Sequence, residues 1–312
     1  LVKSISDDSF QLARKREALQ LRAGLIQSIR QFFLQHDFLE VETPLRIPAP
    51  APEEHIEALP SGNWFLQTSP EICMKRLLAA GYPRIFQIAK CFRSGERGNL
   101  HLPEFTMLEW YVAGFDYRQL MDQCEKMITD VAGDQGLGKN ITRQGRQINL
   151  AEPWERITVS EAFAKYAPVT MEEAMSKDQF DEILVEYIEP RLGCNKPTFI
   201  YDYPARLGAL ARLKENDSSV AERFELYIGG LELANGFSEL TDAREQRQRF
   251  TEALKLRAQK GYAAYPMPES FLAALQNLPA SAGIALGLDR LTMIFADAQS
   301  IDDVVSFVPE IL

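Results

Sequence analysis

Arg93, Glu96, Arg97 and His101 crowd one short stretch between two apolar runs, Arg84–Phe92 and Phe105–Val112. The runs carry the β-branched and aromatic residues of paired strands. The charges therefore fall at the tip of a hairpin that Pro103 closes. On charge alone such a tip is a solvated loop. Two features argue for a charged ligand instead. The second strand holds Glu104, Glu109 and Tyr111 among apolar neighbours. Near the end of the chain, Gly283-Ile284-Ala285-Leu286-Gly287 runs into a helix with Arg290 in its first turn. A cation there opposes the helix dipole, and small residues let another group approach the backbone.

Ile228-Gly229-Gly230-Leu231 marks another hairpin, because Gly-Gly supplies the positive φ of tight turns. With that pair as the loop, Tyr227 faces Glu232 and Glu225 faces Ala234. Glu225 and Glu232 then lie diagonally on one face. Two carboxylates so close repel unless a cation sits between them or one is protonated. Magnesium suits carboxylate and phosphate oxygens. Two independent, solvated acids fit the same geometry equally well. Asn235 and Glu239 follow in a segment too apolar for a surface turn. Earlier, Ser69-Pro70-Glu71 opens a helix, with Ser69 as N-cap and Pro70 at the first position. Glu71 there favours the helix dipole.

The elements that position these residues follow from periodicity. Residues 12–36 form a helix whose apolar face holds Leu12, Leu19, Leu25, Ile26, Ile29, Phe32 and Phe33. A short strand, Phe38–Glu42, precedes Pro44, and residues 46–63 are a loop rich in proline and acid. Trp64–Thr68 is a strand and Ile72–Ala80 a helix. Tyr117–Ala132 is a helix, Gly133–Asn140 a turn-rich link and Arg146–Leu150 a short strand. Val159–Tyr166 and Asp178–Ile188 are helices and Pro197–Tyr203 is a strand. In the helix Asp242–Lys260 the many charges serve solubility.

The 312 residues, 46% apolar and 25% charged, suit one large domain or two smaller ones. The net charge of −10 argues against a broad nucleic-acid-binding face. No membrane-spanning apolar run and no signal-peptide core is visible, so a cytoplasmic location is expected. The four scattered cysteines and three histidines make no zinc pattern.

The first hairpin resembles motif 2 of the class II aminoacyl-tRNA synthetases. Its Phe92-Arg93, Glu96, Pro103-Glu104-Phe105-Thr106 and Glu109-Trp110-Tyr111 look most like the lysine-specific branch. The long helix and Phe-Leu-Glu-Val-Glu-Thr-Pro resemble motif 1, and Ala282–Leu291 resembles motif 3. The resemblance implies an α+β class II catalytic fold over residues 1–312. It has an antiparallel sheet flanked by helices and a mostly helical insertion at 133–196. It implies a homodimer through motif 1, ATP as substrate and Mg2+ on Glu225 and Glu232. Arg93 would grip the α-phosphate, and Arg290 the γ-phosphate and adenine. Phe105 would cover the other adenine face, with Ser94, Gly95, Glu96, His101, Glu232, Leu233 and Gly287 completing the ATP site. Ser69, Pro70, Glu71, Glu109, Tyr111, Asn235, Glu239 and Ala285 would line the amino-acid pocket.

That pocket is anionic and suits a substrate with two ammonium groups, since an unpaired buried charge is costly. The motif 1 helix begins near residue 12, which leaves no room here for an anticodon-binding barrel. With the Phe-Thr-Met-Leu-Glu-Trp-Tyr run and the Ala-Leu-Gly-Leu-Asp-Arg ending, the short chain resembles the elongation factor P–(R)-β-lysine ligase family. The resemblance implies lysine or (R)-β-lysine as substrate and elongation factor P as acceptor; the alternatives are a free-standing lysyl-tRNA synthetase-like domain charging tRNA and a non-catalytic amino-acid-binding paralogue. Ala285 replaces a usual glycine, and one methyl can shift selectivity by about 1–3 kcal/mol. The sequence departs from the pattern at Ser94-Gly95, where Asn-Glu is common, at Leu102, often Asn, and at Val112, often basic.

Overall fold

The computed structural model describes residues 12–312. Its centre is a nine-stranded sheet. The strands are β1 (Leu39–Glu40), β5 (Arg84–Phe92), β6 (Glu104–Ala113), β9 (Glu155–Thr158), β10 (Thr198–Pro204), β11 (Leu213–Lys214), β12 (Asp217–Ile228), β13 (Leu231–Ser238) and β14 (Ser281–Gly287). Between β1 and β5 lie β2 (Arg46–Ile47), β3 (Pro60–Ser61) and β4 (Trp64–Leu66), which form a separate small sheet. A two-stranded ribbon pairs β7 (Asn140–Arg143) with β8 (Arg146–Asn149). The main order is β1-β5-β6-β14-β13-β12-β10-β9, with β11 against β12. The pairing is antiparallel except at the two ends, where β1 joins β5 and β9 joins β10 in parallel.

Side chains alternate along strands, so the sheet has two faces. One face carries Phe86, Leu108, Trp110, Phe224, Leu226, Ile284 and Leu286. It packs against α1 (Arg16–Gln35) and α3 (Tyr117–Asp134). In α1 the buried side chains Leu25, Ile29, Phe32 and Phe33 recur at helical spacing, which is why that helix forms and where it docks. Asp116 caps α3 by accepting from the Arg118 and Gln119 amides. The opposite face is polar and holds the site. Part of it is covered by α2 (Glu71–Ala79), whose Ile72, Met74 and Leu78 join Tyr111 and Phe271 in a smaller core.

Several expected boundaries change. The motif 1 strand is only Leu39–Glu40, and the next strand stops at Leu66. α2 starts at Glu71, so Pro70 rather than Ser69 is its flanking residue. The expected helix Asp178–Ile188 is split. After α4 (Val159–Tyr166) and α5 (Met171–Ser176), α6 (Phe180–Ile183) gives way to a π turn at Leu184–Ile188. Segment 133–196 is thus not only helical: it also holds the β7–β8 ribbon and β9 of the main sheet.

The β12–β13 register also differs from expectation. Ile228 faces Leu231 and Tyr227 faces Glu232, but Glu225 faces Asn235, not Ala234. A bulge after Glu232 absorbs the extra residue. The closing elements are α7 (Ala243–Gln259), α8 (Glu269–Ala274) and α9 (Leu288–Phe295). Arg22 of α1 pairs with Asp289 of α9 at 2.5 Å, which ties the first long helix to the last.

Candidate active site

Strand register alone puts Gln87, Glu109, Ala285, Asn235 and Glu225 in one row across the polar face. Two residues along, the row is Ile85, Tyr111, Gly283, Phe237 and Arg223. Pocket residues from four strands are therefore neighbours because of hydrogen-bonded pairing. Gly283 is required by this packing. A Cβ there would lie 2.2 Å from the Tyr111 ring and 2.6 Å from Glu239 Oε1.

The floor is a set of matched charges. Ser69 donates to Glu109 Oε1 at 2.6 Å and Tyr111 donates to Oε2 at 2.8 Å. Ser69 Oγ also accepts from the Glu71 amide at 3.0 Å, so it still serves the helix start. Glu109 is wholly buried, and burial, reinforced by the charge of Glu71, pushes its pKa up to about 8. Lys75, one helical turn after Glu71, is buried between Glu71 Oε1 and Glu239 Oε2, each at 2.5 Å. Burial works to lower the lysine's pKa, but Glu239 and Glu71 together raise it. Burial pushes Glu239 up to about 8, against the pull of Lys75. Glu239 Oε1 is buried and, among the described residues, has no hydrogen-bond donor.

The rim is looser. Arg93 follows β5, its amide donating to Pro103 O at 2.9 Å and its guanidinium lying 5.0 Å over the Phe105 ring. Glu96 is 3.8 Å away, and the Arg93 Nε has no acceptor among the described residues. Gly95 has φ +77°, which lets the loop turn where a side chain would strain it. Arg290 donates to Glu232 O at 2.8 Å and approaches Glu232 Oε2 at 3.3 Å. Its other branch meets His101 Nε2 at 2.6 Å. Burial and the Arg290 charge lower the His101 pKa, so the ring is neutral and accepts. Gly287 ends β14 beside Arg290. The Leu233 side chain is buried in the apolar core, so only its backbone can face a nucleotide.

Glu225 and Glu232 do share a face. Glu225 is buried, with Arg223 on Oε1 at 2.6 Å and Tyr203 and Tyr227 on Oε2 at 2.6 and 2.9 Å. Its pKa is raised by burial, pulled down by Arg223 and raised again by the Glu232 charge. A divalent cation fits here because it would relieve that last repulsion, with the more exposed Glu232 as the readier ligand. Among the described residues no cluster of three or more acidic, histidine or cysteine side chains could hold a metal unaided. Asn235 accepts from Arg223 Nε at 3.2 Å.

The resemblance to synthetases did not name Lys75, Arg223 or Arg257. The Glu71–Lys75 spacing of one helical turn was the available signal for the first. Arg257 corrects the reading of α7 as a solubility helix: it is almost fully buried and holds the loop around Glu53.

The family model for class II tRNA synthetases of the D, K and N type matches residues 9–310. Elongation factor P–(R)-β-lysine ligases of Salmonella gallinarum and Salmonella dublin are each 40% identical to this chain over 302 residues. Each alignment covers 92% of this chain and 93% of the relative. The chain belongs to this ligase family. It is an ATP-dependent ligase with the class II catalytic fold. Two departures from the synthetase pattern have packing reasons: Leu102 fills a small core with Met293 and Val304, and Val112 lies in the main core.

Proposed function

We propose that the chain activates (R)-β-lysine with ATP and passes the acyl group to a lysine of elongation factor P. The observation that carries this is the floor of the pocket, where Glu239 Oε1 is a buried acceptor without a donor. A substrate ammonium on the floor would meet Glu109, Glu71 and Glu239 with only Lys75 opposed to it and would draw the two raised carboxyls into their charged forms, whereas an anionic side chain would be left unpaired. The substrate carboxylate attacks the α-phosphorus of ATP, and pyrophosphate leaves. Arg93 meets the charge that grows on the phosphoryl oxygens, a task suited to a planar guanidinium. Arg290, with Phe105 opposite, holds the γ-phosphate and adenine. Mg2+ on Glu232 and Glu225 would supply positive charge to the phosphates.

The acceptor amine then attacks the adenylate and AMP leaves. α1 leaves Leu34 about half exposed, as does Leu39 beyond it, which favours a second copy packing there. No helix among the described residues is long and apolar enough to cross a membrane, and we place the reaction in the cytoplasm with its acceptor. ATP–pyrophosphate exchange with α-lysine and (R)-β-lysine in parallel tests the reading. Faster exchange with β-lysine, followed by acylation of elongation factor P, is expected. Exchange with α-lysine alone, or none, overturns it.

A further inference from the structure

Arg93 leaves β5 on a loop that two other parts of the chain hold. At the tip, Arg97 donates to Glu310 from two nitrogens, at 2.8 and 3.0 Å, and to Asp302 at 2.8 Å. Those side chains are partly exposed, where ion pairs contribute little. At the base, the Ser94 amide donates to Glu57 O at 2.7 Å. Glu57 belongs to residues 51–59, a strap that forms neither helix nor strand. The polar backbone groups of such a strap need partners outside regular pairing. Arg257 of α7 supplies two of them, donating from Nη1 to Glu53 O at 2.8 Å and to Ile56 O at 2.6 Å. Its Nη2 meets Glu57 Oε2 at 2.5 Å.

The strap is fixed on the far side of Glu57 as well. The Arg257 guanidinium lies 4.0 Å over the Tyr265 ring, and the Tyr265 hydroxyl accepts from the Ala58 amide at 2.6 Å. Leu59 O then accepts from the Leu66 amide of β4 at 2.8 Å. Arg257 is only 1% exposed. Replacing a buried ion pair by packed apolar residues is often neutral or stabilising, so stability alone gives little reason to bury this cation. What a planar guanidinium adds is direction, because its donors reach several acceptors in one fixed geometry. That geometry is handed to the rim through Ser94, the residue after Arg93. The Arg93 guanidinium itself is loosely held, with the Phe105 ring at 5.0 Å and Glu96 at 3.8 Å. Its aim therefore depends on where its backbone is pinned.

The geometry points to Arg257 as a positioning residue for Arg93. Through the strap and the Ser94 amide, it sets the direction from which the Arg93 guanidinium meets the α-phosphate. This rests on the function proposed above. Glu71, Lys75, Glu109 and Glu239 of the pocket floor take no part in this chain of contacts, so a change at Arg257 should slow activation and leave amino-acid binding in place.

The test is a double-mutant cycle read by ATP–pyrophosphate exchange. Arg257→Lys keeps the charge and loses the planar fork. In the wild-type background it should lower kcat by roughly 10–100-fold, with the KM for the amino acid within about twofold, since small misplacements of a catalytic group are costly. In the Arg93→Ala background the same change should cost no more than about twofold, because the group it positions is gone. A side chain that only stabilised the fold would give one factor in both backgrounds. Tyr265→Phe takes the acceptor from the Ala58 amide and loosens the same strap from its other side. It should repeat the pattern with a loss of roughly threefold to tenfold, and it decides the matter if Arg257→Lys does not fold. Equal factors in the two backgrounds, or wild-type exchange by a folded Arg257→Lys, overturn the inference. A wild type without exchange, or Arg93→Ala with wild-type exchange, overturns the functional reading, and this inference with it.

Discussion

The floor of the pocket and the phosphate rim solve different problems with the same residue types. On the floor, Glu71, Lys75, Glu109 and Glu239 meet one another or a hydroxyl, and all but Glu71 are buried. At the rim, Arg93 and Arg290 are partly exposed, and Arg93 has only a 3.8 Å contact to an acid. The floor is complete before any substrate arrives, apart from one acceptor on Glu239. In the function proposed above, phosphate oxygens complete the rim. On that proposal, selectivity for the amino acid is built into the packing, while catalytic charge waits for the nucleotide.

Breaking the floor should damage the fold, and breaking the rim should damage only the chemistry. Lys75→Met removes the cation between two buried carboxylates and should cost about 3–5 kcal/mol in urea unfolding. Adding Glu239→Gln should recover much of that loss, and an undiminished loss would show that packing, not charge, dominates there. Arg93→Ala should leave the unfolding midpoint nearly unchanged and slow pyrophosphate exchange by about 10²–10³. A matching loss of stability would erase the distinction between the two regions.

Finer tests sharpen it. Gly283→Ala forces Tyr111 off its seat and should weaken amino-acid binding by about 1–3 kcal/mol, seen as a higher KM for lysine with the KM for ATP kept. Glu109 titrates at about 8 in the fold against an ordinary 4.5, so between those values the folded state keeps a proton that the unfolded chain has lost. Stability from this group is full below pH 4.5 and is lost as pH rises to about 8. The melting temperature of the wild type should fall relative to Glu109→Gln across that window. Ala285→Gly, in the row with Glu109 and Asn235, should change the ratio of β-lysine to α-lysine activation by about tenfold, the smallest effect of the set.

What could be read before the structure follows the same division. The strand Arg84–Phe92 has the bounds expected of it, because alternation and a charged break define a hairpin locally. The β12–β13 turn was legible from Gly229-Gly230, but the bulge beyond Glu232 was not, since no residue type there demands one. Glu225 was therefore set opposite Ala234 when it faces Asn235. Arg257 escaped because a charged helix face looks solvated until the loop that covers it is placed. The loop around Glu53 escaped for the matching reason: a stretch rich in proline and acid has no period, and its position depends on an arginine about 200 residues away.

The strand order has a consequence for how the chain is made. β14, residues 281–287, is the last strand to leave the ribosome, yet it lies in the middle of the sheet between β6 and β13. Until it emerges, β6 and β13 each present an unpaired edge to the cell. Neither the Glu109–Ala285–Asn235 row nor the seat of Tyr111 on Gly283 exists before then. A chain interrupted after α8 would carry nearly all of the pocket acids and still be two sticky half-sheets, prone to pairing with other nascent chains.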